Sequence, residues 1–190
     1  MSRDLKLAEL AGELAGQADE LFAAVALTLP TTRPAPSSRS RLLDALAPAW
    51  HRYEAAFASL IDLDVAQARA ILDGAEAAQR WTDGPVNGVS LFHIDAGPGR
   101  AGADVGLVRL GAGVMFPPHA HLGSEQILML DGGYLDSAGY ELAAGSAEQR
   151  QVGAEHHFVA GPNGCVFAVV LYDGVAFPNP DGGPPIVYRG

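Results

Sequence analysis

The sequence predicts an α+β protein in which a helical front half precedes a strand-rich back half. Up to about residue 80, apolar residues recur at three- and four-residue steps, the period of a helix with one buried face. From Gly84 onward, glycine and proline separate short apolar runs, a pattern typical of a β-sandwich or barrel. We therefore expect a helical domain over residues 1–80, a strand domain over 82–175 and an extended tail over 176–190.

The helical half is predicted to contain four helices, of which two precede residue 47. An apolar stripe from Leu7 to Val25 predicts the first helix. The segment 31–36, which contains two prolines, ends it, because proline has no amide hydrogen to continue the helical hydrogen bonds. Ser37 or Ser38 then caps the second helix.

The third and fourth helices are predicted from their first residues. Pro48 suits the first turn of the third helix, whose apolar face runs from Trp50 to Ile61. Asp64 and Gln67 have the spacing of a capping box, which predicts that the fourth helix begins there.

Short apolar runs predict the strands of the back half. Each run is bounded by glycine, proline or other turn-forming residues, as expected of short strands joined by tight turns. The runs cover residues 89–94, 105–110, 126–130, 139–142 and 165–172.

The charge and the composition of the chain exclude several classes of protein. The chain has 12 basic and 22 acidic residues and a net charge of −10. Nucleic acid and anionic lipid bind through clustered lysine and arginine, so we expect neither as a direct partner. No segment has the apolar run of a membrane span or the pattern of a secretory signal, which predicts a cytoplasmic protein. The one cysteine, Cys165, excludes an internal disulfide and is expected to be buried and inert.

Four residues have the types and the spacing of a divalent-metal site: His119, His121, Glu125 and His156. Side chains alternate faces along a strand, so His119 and His121 point to the same side. Gly123-Ser124 permits a turn, so Glu125 can begin the next strand facing inward, and His156 has to arrive from a strand well downstream. Three imidazoles and one carboxylate suit zinc, iron, manganese or nickel.

Two further histidines are not expected to bind the metal. His93 lies in a predicted strand beside Asp95 and is interpreted as a strand residue. His157 follows His156 directly and therefore points away from the metal by strand alternation.

The segments that carry the four metal-site residues resemble the two motifs of the cupin family. The first motif reads Gly, five residues, His-x-His, three or four residues, Glu, six residues, Gly, and residues 113–132 contain every fixed position. The second motif is matched at Gly145, Gly153 and His156. The resemblance implies a single cupin β-barrel, a double-stranded β-helix, with the same four residues as metal ligands.

The second motif is incomplete in this chain. Gln151 replaces its proline and Ala160 replaces its asparagine. Both positions shape a turn or the scaffold, so these departures affect the local loop and leave the ligand set intact.

Within the cupins, the chain resembles the ChrR-type domains found at the C-terminus of anti-sigma factors. This likeness covers roughly residues 82–175 and is carried by residues 116–125, 133–139, Gly145, Gly153, His156 and Gly164-Cys165. The front half is similar to that family's sigma-binding domain through Leu27-Thr28-Leu29-Pro30 and Arg41-Leu42-Leu43. That domain's zinc pattern, His-x-x-x-Cys-x-x-Cys, is absent because no cysteine precedes Cys165.

Two classes of function follow. The resemblance implies a regulatory protein whose cupin senses a small molecule or oxidant and which acts through protein–protein interaction. The alternative is a metal-dependent enzyme, such as a dioxygenase, isomerase or lyase, with a helical cap; the sequence identifies no catalytic residue for it. Both classes require one divalent ion, interpreted as zinc, and a small molecule in an apolar pocket. The predicted pocket residues are Met115, Ile127, Met129 and Tyr134.

The helical half is predicted to form a protein-interaction surface. A hydrophobic helical groove can hold a partner helix without a metal, so a sigma factor remains an expected partner. A second copy of the same chain, forming a homo-oligomer, is the other expected partner. Simple mutual packing of the helices is the alternative. The predicted interaction residues are Leu42, Leu43, Leu46, Trp50 and Phe57.

Overall fold

The computed structural model describes residues 49–76 and 80–189. The chain divides into two compact units, residues 1–46 and 47–190, and the described residues belong to the second. The two helices predicted before residue 47 lie outside the described residues, as do Leu42, Leu43 and Leu46.

The described residues of the second unit form two α-helices followed by ten β-strands, as the predicted α+β class requires. A 3-10 turn, Ala49–Tyr53, precedes the helices, and a second one, Pro98–Arg100, lies between two strands. The helices are α1 (Glu54–Ile61) and α2 (Val65–Glu76). The strands are β1 (Thr82–Asp83), β2 (Val89–His93), β3 (Ala103–Leu110), β4 (Met115–His121), β5 (Glu125–Asp136), β6 (Glu141–Ala143), β7 (Ala147–Arg150), β8 (Glu155–Tyr172), β9 (Val175–Phe177) and β10 (Ile186–Tyr188).

The capping box at the start of α2 forms as the sequence predicts. The amide of Gln67 donates to Asp64 Oδ1 over 2.8 Å, and the amide of Asp64 donates to Gln67 Oε1 over 3.1 Å. These two bonds satisfy amide groups that have no partner within the helix. The third predicted helix differs slightly, because its first turn adopts the tighter 3-10 form before α1 begins.

All strand pairs in the sheet are antiparallel. The strand order is β1-β2-β3-β8-β4-β9-β10, and β5 pairs with β6, β7 and β8. The long strand β8 is central, because its first residues pair with β4 and its last residues pair with β3, while β5 follows it along most of its length. The sheet curls into the half-barrel of a cupin fold.

The two faces of the sheet enclose two separate cores. Leu107, Leu128 and Val170 face α1 and α2 on the outside of the barrel. Their sequence neighbours Val108 and Ile127 face the barrel interior, as strand alternation requires. The side chains on one face of each strand therefore form the barrel interior, and those on the other face pack against the helices.

The helices α1 and α2 pack on the barrel and belong to its unit. Ile61 and Leu72 are fully buried against the sheet. Trp50 and Phe57 are predicted interaction residues, and in the structure their side chains instead fill this core, because α1 lies directly on the sheet. The boundary between the compact units thus falls near residue 46, and the change of periodicity near residue 80 falls inside the second unit.

The C-terminal tail is partly strand. β9 pairs with β4, so that His121 lies opposite Val175, and β10 pairs with β9. The tail therefore extends the sheet beside the strand that carries two of the histidines.

Candidate metal centre

Three histidines meet inside the barrel because of the way β4 pairs with β8. His119 lies directly opposite His156 in the register of this pair. His121 is two residues beyond His119 on the same strand and hence on the same face. The relative exposures of His119, His121 and His156 are 5%, 1% and 6%, so all three imidazoles are buried.

A bulge in β4 decides which of its side chains face inward. Phe116 pairs with Phe158 and His119 pairs with His156, so three residue steps on β4 match two on β8. The extra residue falls at Pro117-Pro118, where proline lacks the amide hydrogen that a regular ladder needs. Phe116 and His119 consequently share the inner face.

The imidazole nitrogens converge on one point. One nitrogen from each of His119, His121 and His156 lies within 4.8 Å of the other two. The Nε2 atoms of His121 and His156 are 3.1 Å apart. Two of the Nδ1 atoms have protein acceptors: His119 Nδ1 lies 2.9 Å from the carbonyl of Pro117, and His156 Nδ1 lies 2.7 Å from Asp136 Oδ2. Protons placed on these Nδ1 atoms leave Nε2 free to bind a metal.

Glu125 lies beside the histidine cluster and not within it. It is the first residue of β5, and its Oε2 is 3.9 Å from His121 Nε2. Its side chain is buried and lines the interior cavity together with His119. The structure therefore brings the three predicted histidines together and places the predicted carboxylate next to them.

Burial sets the protonation state of these groups. It lowers the pKa of His119 to about 4 and that of His121 to about 3. It lowers the pKa of His156 as well, although the hydrogen bond to Asp136 acts in the opposite direction. Burial raises the pKa of Glu125 to about 8. The imidazoles are thus neutral near pH 7, which is the form that binds metals.

The donor set fits a divalent cation. Neutral imidazole nitrogens and a neighbouring carboxylate suit zinc and other first-row divalent metals. The Nδ1 of His121 is buried and has no hydrogen-bond partner among residues 49–76 and 80–189. A cation at the centre of the cluster would also lower the pKa of Glu125, because a nearby positive charge favours the carboxylate.

An apolar cavity adjoins the cluster inside the barrel. Its polar groups are His119 and Glu125 at the metal centre and His93, Asp104 and Tyr188 elsewhere along its wall. His93 Nδ1 lies 3.2 Å from Asp104 Oδ1, and both side chains are partly exposed. The remaining wall is largely apolar and includes Leu91, Val108, Phe116, Ile127, Phe158, Phe167, Val169, Leu171 and Val175.

One of the four predicted pocket residues lines this cavity. Ile127 does so from β5. Met129 and Tyr134 are buried in the barrel core and do not contribute to the lining. Met115 is 51% exposed, because the bulge in β4 turns it outward.

The sequence does not predict a polar network that lies behind His156 and is buried at its inner end. It contains Asp136, Glu148 and Arg150, with the hydroxyls of Tyr134 and Tyr140. Asp136 begins Asp136-Ser137-Ala138-Gly139, a common turn sequence. Because aspartate is frequent at the start of turns, its presence there does not indicate a functional role. Glu148 and Arg150 lie in a short polar strand, and nothing in the sequence around them indicates that they are part of a site.

The remaining residues discussed above lie away from the cluster. His157 is outside the histidine group, and its amide donates to Ser137 Oγ. Cys165 is buried, and burial raises the pKa of its thiol to about 12, so the thiol stays protonated and unreactive. Within residues 49–76 and 80–189, none of the helices has the length and apolar character to cross a membrane.

The fold and the histidine cluster together define a cupin with a candidate three-histidine metal centre. The chain belongs to the ChrR cupin-like domain family, whose model matches residues 72–173. The curated proteins contain no match to this sequence.

Solved structures share the fold at low sequence identity. The chain is similar to the complex of Rhodobacter sphaeroides SigE with the anti-sigma ChrR, with 20% identity and a TM-score of 0.50 over 88% of this chain and 83% of that chain. It is similar to an RmlC-like cupin protein from Ralstonia eutropha, with 16% identity and a TM-score of 0.50 over 57% and 73% of the two chains. An acetylacetone dioxygenase from Acinetobacter johnsonii matches with 18% identity and a TM-score of 0.48 over 57% and 80%.

Proposed function

We propose that this chain is a regulatory cupin that binds one divalent metal ion, senses a small molecule or oxidant beside it, and acts through protein contacts of its N-terminal part. The observation that carries the proposal is the cluster of three buried, neutral histidines, one of which, His119, lines an apolar cavity. Buried histidines that can all present Nε2 to one point have the geometry of metal ligands.

The metal ligands in this proposal are His119, His121 and His156, with Glu125 as the fourth. The Glu125 carboxylate is 3.9 Å from His121 Nε2, a distance that rotation of its side chain can shorten. Binding to a cation removes the energetic penalty that burial places on its ionised form. Zinc is the ion that we propose, since nitrogen and carboxylate donors suit it; iron, manganese and nickel suit the same donors.

The bound metal would act as a Lewis acid toward an oxygen or nitrogen atom of the ligand. The residues of this chain supply the rest of the site. Phe116, Ile127 and Phe158 exclude water and favour an apolar molecule. The polar end of the molecule would face the end of the cavity where His119 and Glu125 would hold the metal.

A sigma factor is the partner that we propose for the N-terminal part. Membership of the ChrR cupin-like domain family supports this, and so does a structural likeness to an anti-sigma protein that extends over 88% of the chain. Leu42, Leu43 and Leu46 are the side chains that we propose for the contact, because the structure accounts for Trp50 and Phe57 in the core. A homo-oligomer formed through the same leucines is the competing outcome.

One observation favours an enzyme as the second candidate. The carboxyl group of Glu125 is buried, and a carboxyl group in a cavity wall can accept and donate a proton when a substrate lies beside it. This group lies in the cavity wall next to the metal centre. A metal-dependent dioxygenase, isomerase or lyase would use Glu125 in this way when it is not bound to the metal.

Elemental analysis of the purified chain tests the metal centre. We expect one divalent ion per chain in the wild type and a loss of most of it in His121→Ala, because His121 is the most deeply buried of the three ligands. His157→Ala is the matched control, since it removes a neighbouring imidazole outside the cluster and should keep the full metal content. A wild-type chain without metal after reconstitution with zinc, iron, manganese and nickel would contradict the proposal.

Co-expression with a tagged candidate sigma factor tests the regulatory role on the same preparation. We expect the full chain to co-purify with the sigma factor and Leu43→Asp to abolish this while metal content stays unchanged. Light scattering on the free protein distinguishes a homodimer through the same residues. Failure to bind any sigma factor from the source genome, together with turnover of a small molecule, would favour the enzyme.

A further inference from the structure

The polar network behind His156 connects the candidate metal centre to the protein surface. His156 Nδ1 lies 2.7 Å from Asp136 Oδ2, and the same oxygen accepts from Arg150 Nη2 over 2.6 Å. The side chains of both His156 and Asp136 are almost completely buried, with exposures of 2% and 0%. A carboxylate buried this deeply is costly unless it is paired and hydrogen-bonded, and here it is both.

The Asp136 carboxylate is held on both of its oxygens. Oδ1 accepts from the amide of Ala138 over 2.8 Å within the turn that ends β5. The turn itself is closed by backbone bonds between Asp136 and Tyr140 and between Gly139 and Asp136. Oδ2 is shared by His156 and Arg150. Because three donors arrive from three different directions, the plane of the carboxylate is fixed.

Arg150 is held in turn by groups on the far side from the metal centre. Its Nη2 lies 2.8 Å from Glu148 Oε1 and 2.5 Å from the hydroxyl of Tyr140. Glu148 also accepts from the hydroxyls of Tyr134 and Tyr140. The ion pair with Arg150 and the hydrogen bond from the Ala138 amide both favour the charged form of this buried carboxylate.

We propose that Asp136, held by Arg150, is a positioning residue that places the proton of His156 on Nδ1 and presents Nε2 to the metal. The inference rests on the proposed metal site and deepens it, because it assigns part of the metal affinity to residues outside the ligand set. A carboxylate that accepts from the outer nitrogen of a histidine fixes the tautomer and the orientation of the ring and increases its basicity.

An isosteric change shows why the carboxylate is required. In Asp136→Asn a single amide oxygen replaces two carboxylate oxygens. If that oxygen keeps the bond to the Ala138 amide, the NH2 group faces His156 and Arg150, repels the guanidinium and favours the Nε2–H tautomer, which cannot bind a metal. If the oxygen faces His156 instead, two donors meet at Ala138 and one is left unsatisfied.

Zinc titration against a competing chelator measures the first consequence. We expect Asp136→Asn to raise the zinc dissociation constant by about 10–100-fold, the usual effect of losing such an outer partner, with one zinc still bound at saturation. Asp131→Asn is the matched control, because Asp131 lies on the same strand, is exposed, and accepts from the amide of the next residue, Gly132. We expect its zinc affinity to equal that of the wild type. Equal affinities for Asp136→Asn and wild type would overturn the inference.

Nitrogen-15 spectroscopy of the histidine rings in the metal-free protein gives a readout that needs no metal. We expect His156 as the Nδ1–H tautomer in wild type and a gain of Nε2–H tautomer in Asp136→Asn. A wild-type His156 that is predominantly Nε2–H would overturn the inference even if the protein bound zinc. A wild type that binds no metal but shows the Nδ1–H tautomer would contradict the proposed function and leave the positioning role of Asp136 supported.

Discussion

The single residues of the metal centre respond to burial in opposite senses. Neutral histidine is favoured inside the barrel, so His119 and His121 have folded-state pKa values of about 4 and 3, below the ordinary value of 6.5. Protonated glutamic acid is favoured there too, so Glu125 has a folded-state pKa of about 8, above its ordinary value of 4.5. Both effects keep charge out of an apolar interior until a cation arrives.

Metal-free protein should accordingly be most stable near pH 6.5. Below that pH the unfolded chain protonates its histidines and the folded chain does not, so stability falls as pH decreases toward 4. The contribution of Glu125 has the opposite sign: it is fully present below pH 4.5 and is lost as pH rises to about 8. The histidines outweigh one glutamate below pH 6.5, and Glu125 dominates the slope as pH rises further toward 8.

Urea unfolding of chelator-treated protein at a series of pH values measures this balance. Each proton taken up on folding changes the free energy of unfolding by at most about 1.4 kcal/mol per pH unit. We expect Glu125→Gln to remove the decline between pH 6.5 and pH 8, because glutamine does not titrate. Glu155→Gln, on the exposed side of β8, should leave the decline unchanged. A decline of the same slope in Glu125→Gln would contradict the prediction.

At the scale of secondary-structure elements, local sequence fixes where α2 begins and the barrel fixes where it lies. The capping box of Asp64 and Gln67 involves residues three positions apart and needs no tertiary partner. The burial of Leu72, in contrast, depends on contact with the sheet. A substitution can therefore weaken the N-terminal cap of α2 without changing how α2 packs on the sheet.

Removal of the cap should weaken the folded state without disturbing the metal centre. We expect Asp64→Ala to lower the free energy of unfolding by about 1 kcal/mol, since an aspartate cap satisfies an amide that alanine leaves unpaired. Asp64→Asn should retain nearly all of the stability, because asparagine caps about as well. Thermal unfolding followed by circular dichroism measures both variants. Equal losses in the two variants would show that charge, and not capping, is what Asp64 contributes.

For the whole molecule, the helices α1 and α2 are a structural part of the barrel unit. The outer face of the sheet carries Leu107, Leu130 and Val170, each with no more than 1% exposure, under Phe57 and Ile61. Without the helices, this face would form a large exposed apolar patch, which soluble proteins rarely tolerate.

The fragment 47–190 should therefore fold by itself and keep the metal centre. We expect a cooperative thermal transition and one zinc per chain, because every ligand and both helices lie within this unit. The matched fragment 82–190 retains all the ligands but loses α1 and α2, and we expect it to aggregate or to bind a hydrophobic dye. A soluble, cooperatively folding 82–190 would show that the helices are dispensable for the barrel.

The sequence alone determined the fold class and the histidines of the candidate site. Alternation along β4 placed His119 and His121 on one face, and the two cupin motifs supplied His156 from a distant strand. The short apolar runs also located β2, β3 and parts of β5, β6 and β8, and the capping box located the start of α2, because these signals depend on neighbours within a few residues. Glu125 as a metal ligand stays a prediction.

Tertiary structure decided what each buried face packs against. An apolar stripe on a helix does not specify what it packs against. The sequence therefore predicts an interaction surface at Phe57, whereas in the structure Phe57 packs on the sheet. The bulge at Pro117-Pro118 adds one residue to β4, which turned Met115 outward and Phe116 inward. Asp136 meets both His156 and Arg150 only because β5, β7 and β8 lie side by side. Spacing along the chain encodes which way a side chain points, whereas the group that it meets depends on strands brought together over long separations.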